Sequence, residues 1–315
     1  MRGAFLLAAA LLALATPGAQ AQMRAPHVVF VTGDEEYRSE ESMPMLARIL
    51  KRDYGFRVTV LYSLDEQGFI DPNNLTNVPG LAALDSADLM VMFTRYRALP
   101  EADLRHILDY VEAGRPVVGF RTATHGLRYP NDSTRTFYNE EWERRLFGQK
   151  WIVHHGHFGD GVEPLTDVQI VPWRETHPIL RGVKPFQAFS WLYHVEGGEH
   201  ELYGDSKPLL TGRALKTNQT QNLARYPLVN PVAWTKTYTG SAGKTARVFF
   251  TTLGHPYDFR DESMRRLALN GMLWAMGMES RIPAEGSRAD VVGEYSPTAS
   301  GTGKVYRQGV RPPPL

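Results

Sequence analysis

Four segments of the sequence could do chemistry, because each follows a predicted strand and carries polar or aromatic side chains. They are residues 33–38, 94–97, 119–125 and 253–258. Ligands of an open parallel sheet bind beyond the carboxyl ends of the strands, so these segments are expected to converge on one crevice. The candidate substrate-binding residues, with one tyrosine from a later aromatic segment, are Asp34, Glu36, Tyr37, Arg95, His125 and Tyr193.

The third segment has the place of a nucleophile elbow, where a strand turns sharply into a helix, and its elbow residue is Arg121. A guanidinium stays protonated and cannot attack as a nucleophile, but it can hold a carboxylate, a phosphate or an oxygen-rich sugar. The alternative is a solvated loop arginine. The sequence lacks Gly-x-Ser-x-Gly and cysteine, which disfavours serine-hydrolase chemistry and removes a cysteine nucleophile. The catalytic candidates are therefore Arg121 and His255, the latter as a general base or acid.

The densest histidine cluster is His154-His155-Gly156-His157. In an extended segment His155 and His157 point to one side and His154 to the other. Neutral imidazoles two residues apart suit a divalent metal such as zinc. The cluster could equally be a surface or hydrogen-bonded histidine group. Histidines that could complete a metal site in space are His125, His194 and His255.

Aromatic and acidic residues leave two further questions open. Trp191 and Tyr193, with Trp151 and Trp173, form either a sugar-stacking wall or part of the core. The acidic residues at 34–36 face either the crevice or solvent.

Composition bounds the class of protein. The chain has 315 residues with 35 Lys and Arg against 34 Asp and Glu, for a formal charge of +1. This balance gives no electrostatic footprint for nucleic acid and no reason to bind an anionic membrane. The absence of cysteine removes disulfides, thiolate metal sites and a lipoprotein anchor. Composition leaves the oligomeric state open.

The first 21 residues have the order of a signal peptide. Arg2 is followed by an apolar run over residues 4–15, and Ala19-Gln20-Ala21 fits a small-x-small cleavage site. The alternative is a buried amino-terminal helix. We expect export to the periplasm or the medium, with cleavage before Gln22. No later stretch reaches the length of a membrane span, so no membrane contact is expected after cleavage.

Strands and helices alternate in the first half of the mature chain, which predicts an α/β fold with a mostly parallel central sheet and helices on both faces. The second half contains a predicted helix, strand, hairpin and final helix, at residues 139–147, 167–171, 231–252 and 261–277. Residues 22–279 therefore form the domain. Residues 280–315 are rich in Gly, Ser, Thr and Pro and are expected to be an extended or disordered tail. The first-half strands are predicted at 27–32, 57–62, 87–94 and 115–120, and the helices at 39–54 and 101–113.

Several motifs, taken in order, resemble those of the ThuA-like (trehalose utilisation) family. The likeness covers residues 26–278 and rests on the opening strand with its acidic-Tyr loop and on five further blocks. These are residues 118–124, 155–157, 176–182, 231–255 and 270–275. The resemblance implies a flavodoxin-like fold similar to class I glutamine amidotransferases.

The resemblance also bears on the chemistry. Amidotransferases have a catalytic cysteine at the elbow and a histidine in a late His-Pro pair, whereas this chain has Arg121 and His255-Pro256. Glutaminase activity is therefore excluded. The family often has histidine at the elbow and an Asp-Glu pair before the tyrosine at Tyr193, where this chain has Ser190 and Trp191.

Carbohydrate catabolism is the function that the resemblance implies, with a small-molecule sugar as the partner. Our first hypothesis is isomerisation or elimination of a keto-sugar or glycoside. His255 would be the base, and Arg121 or a metal on His155 and His157 would stabilise the enolate. The alternatives are a non-catalytic carbohydrate-binding module and a metal-dependent hydrolase.

Overall fold

The computed structural model describes residues 24–156 and 158–315. The predicted signal peptide and His157 lie outside the described residues. Over those two ranges, none of the helices has both the length and the apolar character needed to cross a membrane.

One half of the main sheet is parallel. Strands β2, β1, β3, β4 and β11 lie side by side in that order, each parallel to its neighbour. All residues of β1 and β3 are buried, as the continuous apolar runs predict for strands covered on both faces. The predicted α/β class with a parallel centre is confirmed. The bounds are β1 His27–Gly33, β2 Arg57–Leu61, β3 Leu89–Thr94, β4 Val117–Phe120 and β11 Thr245–Thr251.

The other half of the sheet is antiparallel. The predicted hairpin is confirmed, because β10 pairs with β11 in antiparallel register. The sheet continues through β9, β6 and β7, and strands β5 and β8 form a separate two-stranded sheet. Strands β5, β7, β8 and β9 were not predicted. The bounds are β5 His154–His155, β6 Thr166–Ile170, β7 Phe186–Ala188, β8 Leu192–Tyr193, β9 Lys207–Ala214 and β10 Val229–Thr239.

Helices cover both faces of the sheet. Alternate residues of β1 divide between two apolar clusters, so that Phe30 packs with α1 and α5 while Val31 packs with α2 and α4. Helix α5 approaches the sheet closely, since a Cβ on Gly271 would lie 2.3 Å from the Phe249 ring. The bounds are α1 Ser39–Tyr54, α2 Glu101–Glu112, α3 Thr136–Glu140, α4 Trp142–Phe147 and α5 Glu262–Ala275.

The strand order reverses between β1 and β3. From β1 the chain moves outward to β2 and then returns to the other side of β1 as β3. Such a reversal opens a crevice at the carboxyl ends of the two strands, because their following loops diverge. The loops that begin at Asp34 and Arg95 leave the sheet at this point.

The carboxyl-terminal segment 282–315, all of which the structure describes, forms no helix or strand. It is extended and lies on the domain. Gly301 N–H donates to the carbonyl of Glu36 at 2.8 Å, and the Tyr295 hydroxyl donates to the carbonyl of Pro256 at 2.9 Å. The segment therefore runs past the carboxyl ends of β1 and β11.

Candidate functional site

A cleft of about 370 Å³ lies at the carboxyl ends of β1, β3 and β4, where the strand order reverses. Its size is that of a small-molecule site. The wall is mainly aromatic and polar. Among the residues that the structure describes, it is formed by Glu36, Tyr37, Arg95, Tyr96, His125, Trp151, Val153, His154, Trp191, Tyr193, Asn218 and Gln219.

Backbone strain is concentrated beside this cleft. Arg38, Tyr96 and Arg121 follow the ends of β1, β3 and β4, and their φ angles are 56°, 56° and 41°. A side chain in this left-handed region costs roughly 1–2 kcal/mol, and such strain clusters at functional sites. The left-handed Arg121 gives the turn after β4 the sharp bend that was predicted there.

Asp34 builds the loop that carries Glu36 and Tyr37. Its buried carboxylate accepts the backbone N–H groups of these two residues at 2.7 and 2.8 Å and the hydroxyl of Thr122. Asp34 is not part of the cleft wall. Asp34 therefore holds the loop in place and is not placed to contact a ligand directly.

Arg95 holds the acidic residues of this loop. It pairs with Glu35 and lies 3.3 Å from the Glu36 carboxylate. Arg97 also pairs with Glu35, at 2.8 Å. Burial raises the pKa of Glu36 above its ordinary value, although the Arg95 charge opposes the shift. Glu36 is thus the carboxylate on the cleft wall, with a raised pKa and one arginine partner.

Arg121 is fully buried beneath the cleft, so the alternative of a solvated loop arginine is wrong. Its guanidinium donates to the carbonyls of Thr252 and Trp191 at 2.9 and 3.3 Å and to the Tyr37 hydroxyl at 2.9 Å. It also lies 4.6 Å from the ring centre of Tyr193. These contacts fix both tyrosines of the wall.

Two side chains on the wall stay uncharged near neutral pH. Burial, with the charges of Arg95 and Arg121, lowers the pKa of His125 well below its ordinary value. Burial raises the pKa of Tyr193 above its ordinary value, although Arg121 opposes the shift. The His125 imidazole and the Tyr193 hydroxyl are therefore neutral hydrogen-bonding groups.

Aromatic rings form one side of the cleft. His125 lies 5.0 Å from Tyr96 and 5.6 Å from Trp151, measured between ring centres. His154 lies 4.8 Å from Trp191. Trp173 belongs to a distant turn and is 85% exposed. The aromatic wall suggested by the sequence thus contains Trp151, Trp191 and Tyr193, but not Trp173.

The two described histidines of the predicted metal cluster face different surroundings. His154 lines the cleft, whereas His155 is buried behind it and contacts the Thr217 hydroxyl at 2.7 Å through Nδ1. Over residues 24–156 and 158–315, no group of three or more His, Asp or Glu side chains is placed to hold a metal ion.

His255 lies one ring away from the cleft. It is fully buried and does not line the cleft, and its ring centre is 6.4 Å from that of Tyr37, which does. Nδ1 accepts the backbone N–H of Tyr257 at 3.0 Å, and Nε2 faces Ser300 and Asp160 at 2.8 and 3.3 Å. The structure therefore separates His255 from the other strand-end side chains.

Comparison with known proteins decides the family. The sequence profile of the ThuA family, described as trehalose utilisation, matches residues 27–275. The chain belongs to the ThuA family. No curated protein gave a significant match to the sequence.

Two solved ThuA-like proteins are similar to this chain. One, from Parabacteroides merdae, is 18% identical with a TM-score of 0.50, over 91% of this chain and 100% of its own. The other, from Bacteroides uniformis, is 16% identical with a TM-score of 0.49, over 83% of this chain and 95% of its own. The similarity to the Parabacteroides merdae protein supports a ThuA-like fold.

The residues predicted from the sequence form only part of the cleft wall in this ThuA protein. Of the predicted residues, Glu36, Tyr37, Arg95, His125 and Tyr193 meet on the cleft wall, while Asp34, Arg121, His155 and His255 lie behind it. Asn218 and Gln219 were missed. The loop that carries them is fastened to β5, because the Asn218 side chain accepts the backbone N–H of Gly156 at 3.1 Å. No motif in the sequence marked this loop.

Proposed function

We propose that the cleft binds a sugar and that the protein acts in carbohydrate catabolism. The observation that carries this proposal is the composition of the wall. Rings of Trp151, Trp191 and Tyr193 surround neutral groups that can both donate and accept hydrogen bonds. Aromatic faces pack on the C–H faces of sugars, while neutral polar groups satisfy hydroxyls. The trehalose-utilisation description of the family is consistent with such a ligand.

The finer proposal is proton transfer on a keto-sugar, with Glu36 as the base. Its raised pKa brings the carboxylate nearer to the pH at which it must accept a proton. Glu36 would remove a proton from the carbon beside the carbonyl, and the electron pair would move onto the carbonyl oxygen. Glu36 would then return its proton to the former carbonyl carbon, while the hydroxyl on the deprotonated carbon loses its proton and the enolate oxygen gains one. The carbonyl and the hydroxyl thereby exchange places, which completes an isomerisation. The Tyr193 hydroxyl or the His125 N–H would donate to the enolate oxygen.

This assignment replaces the roles first expected of His255 and Arg121. His255 does not line the cleft. Arg121 directs its two Nη atoms at protein oxygens. Its proposed role is therefore to position Tyr37 and Tyr193 and not to contact the substrate.

A non-catalytic sugar-binding protein is the second candidate. The observation that favours it is that Glu36 is already held by Arg95, at 3.3 Å. The Arg95 charge works against the rise in the Glu36 pKa that burial causes, and it engages the carboxylate that would have to accept the proton.

Hydrogen exchange distinguishes the two candidates. The protein is mixed with a keto derivative of trehalose in D2O, and loss of the C–H signal beside the carbonyl is followed by proton NMR. The catalytic proposal predicts exchange that Glu36→Gln abolishes and that Glu66→Gln, at an exposed site, retains. Sugar binding without exchange by the unaltered protein would leave the binding function and overturn the catalytic one.

Export and metal binding remain separate proposals. We propose export on the pattern of residues 1–21, and amino-terminal sequencing of the mature protein is expected to begin at Gln22. A metal on His155 and His157 predicts about one equivalent of zinc by elemental mass spectrometry, lost in the double alanine variant. An unprocessed amino terminus would contradict the first proposal, and a metal-free protein the second.

A further inference from the structure

Ser300, in the extended carboxyl-terminal segment, occupies a polar site formed by Asp160 and His255. Its Oγ lies 2.8 Å from His255 Nε2 and donates to the Asp160 carboxylate. Asp160 also lies 3.3 Å from His255 Nε2. The residues come from three separate parts of the chain.

The hydrogen-bond directions in this site are specific for an alcohol. His255 Nδ1 accepts the N–H of Tyr257, so a ring proton lies on Nε2, which donates it. Burial raises the pKa of Asp160, but hydrogen bonds from His255 and Ser300 outweigh it and leave the pKa below its ordinary value. Asp160 is therefore an ionised acceptor. A hydroxyl is the group that accepts from His255 and donates to Asp160 at the same time.

This arrangement is not a serine-hydrolase triad. In such a triad the carboxylate binds Nδ1 and the serine binds Nε2. Here Asp160 and Ser300 share the Nε2 side, and a backbone N–H occupies Nδ1. Ser300 therefore has no base that could remove its proton through the imidazole, and its hydroxyl is a bound group and not a nucleophile.

The stretch on either side of Ser300 is tied to the loop after β1 and to α1, and the rest of the segment has further anchors, such as the Tyr295 hydroxyl on the Pro256 carbonyl. Gly301 bonds the carbonyl of Glu36 and accepts from Arg38, and Thr298 bonds Glu41. The Asp160 side chain is 23% exposed, so the site reaches the surface beside Ser300. Glu36, to which the segment is tied, also lines the cleft.

We propose that Asp160 and His255 form a second alcohol-binding site, which Ser300 occupies in place of a sugar hydroxyl. Displacement of the segment around Ser300 opens the site to a polyol or sugar. The inference rests on the proposed function only in its choice of a sugar as the displacing alcohol. The contacts of Ser300 with Asp160 and His255 define the site itself.

The first test measures whether the segment protects His255. Gly301 has a φ of 137°, which proline cannot adopt, and proline also removes the N–H that bonds Glu36. Diethyl pyrocarbonate labelling with mass spectrometry is expected to leave His255 unlabelled in the unaltered protein and to label it in Gly301→Pro. The control is Thr302→Ala, at an exposed residue of the same segment. Equal labelling in all three proteins would overturn the proposal.

The second test measures occupancy and does not depend on release of the segment. Methyl α-D-glucoside is titrated while the His255 imidazole is followed by NMR. Ser300→Ala removes the competing hydroxyl. The apparent affinity of methyl α-D-glucoside for the His255 site is therefore expected to be about tenfold higher in Ser300→Ala than in the unaltered protein, and unchanged in Thr302→Ala. If the His255 imidazole signal of Ser300→Ala does not change when the sugar is added, the proposal is overturned.

The two proposals fail in different ways. A Trp191→Ala variant alters the cleft but leaves Asp160, His255 and Ser300 in place. If the cleft is not a sugar site, Trp191→Ala will not change binding there, while the His255 response to methyl α-D-glucoside in Ser300→Ala will persist. If the second site is wrong, the His255 response is absent although cleft binding still depends on Trp191.

Discussion

The Arg121 guanidinium lies 4.0 Å from the ring centre of Tyr37 and also donates to the Tyr37 hydroxyl at 2.9 Å. Tyr37 in turn separates the cleft from the buried His255. The buried Arg121 guanidinium, at the bend after β4, thus holds Tyr37 in place between the cleft and His255. The residue at the elbow position of this ThuA protein therefore contacts Tyr37 directly.

Replacement of Arg121 is expected to destabilise the fold. Arg121→Ala leaves the buried carbonyls of Thr252 and Trp191 with one donor fewer and removes the contact with Tyr37. The free energy of unfolding in urea is expected to fall by about 3 kcal/mol. Arg105→Ala, at a side chain 61% exposed, is the control and is expected to change it by less than about 0.5 kcal/mol. Equal effects of the two variants would contradict this role.

Glu143 is expected to make stability depend on pH. Burial raises the pKa of its carboxyl to about 8, although the Leu127 N–H donates to it. An acid whose folded pKa is raised contributes its stability below about pH 4.5, and that stability is lost as the pH rises towards 8.

Glu143→Gln keeps an acceptor for Leu127 without the titration. Its unfolding free energy is expected to exceed that of the unaltered protein by on the order of 5 kcal/mol at pH 9, and to match it at pH 4.5. Glu66→Gln, at an exposed site, is the matched control. Parallel stability curves for Glu143→Gln and the unaltered protein would show that Glu143 does not titrate in this way.

His125 is expected to stay neutral through the physiological range. Burial and the charges of Arg95 and Arg121 disfavour the imidazolium, so its pKa is held well below the ordinary value. Nitrogen-detected NMR is expected to show no titration of His125 from pH 8 down to the ordinary histidine pKa of about 6.5. A titration midpoint inside that range would mean that the cleft carries a switchable charge.

The parallel half of the fold was predictable because burial on both faces leaves continuous apolar runs. Helix α1 has the predicted bounds, and three of the four strand ends that were expected to converge do so, whereas residues 253–258 do not line the cleft. Strand β9 was missed because Pro208 and Gly212 weaken its local signal. Its pairing with β10 and β6 is a long-range feature that no local pattern encodes.

The site was predictable only as far as topology determines it. Parallel strands bring Tyr37, Arg95 and His125 to one edge whatever the loops do. The burial of Arg121 depends on the packing of both neighbouring tyrosines. The contact between Ser300 and His255 joins residues 45 positions apart across an extended tail. No spacing rule connects such residues.

Sugar binding by the cleft is the central claim, and isothermal titration tests it most directly. Trehalose and its keto derivative are titrated into the unaltered protein, Trp191→Ala and Trp173→Ala, the last being the control at a ring 85% exposed and remote from the cleft. The account predicts saturable binding of at least one sugar, weakened about tenfold by Trp191→Ala and unchanged by Trp173→Ala. No binding of either sugar, or equal weakening by both variants, would contradict it.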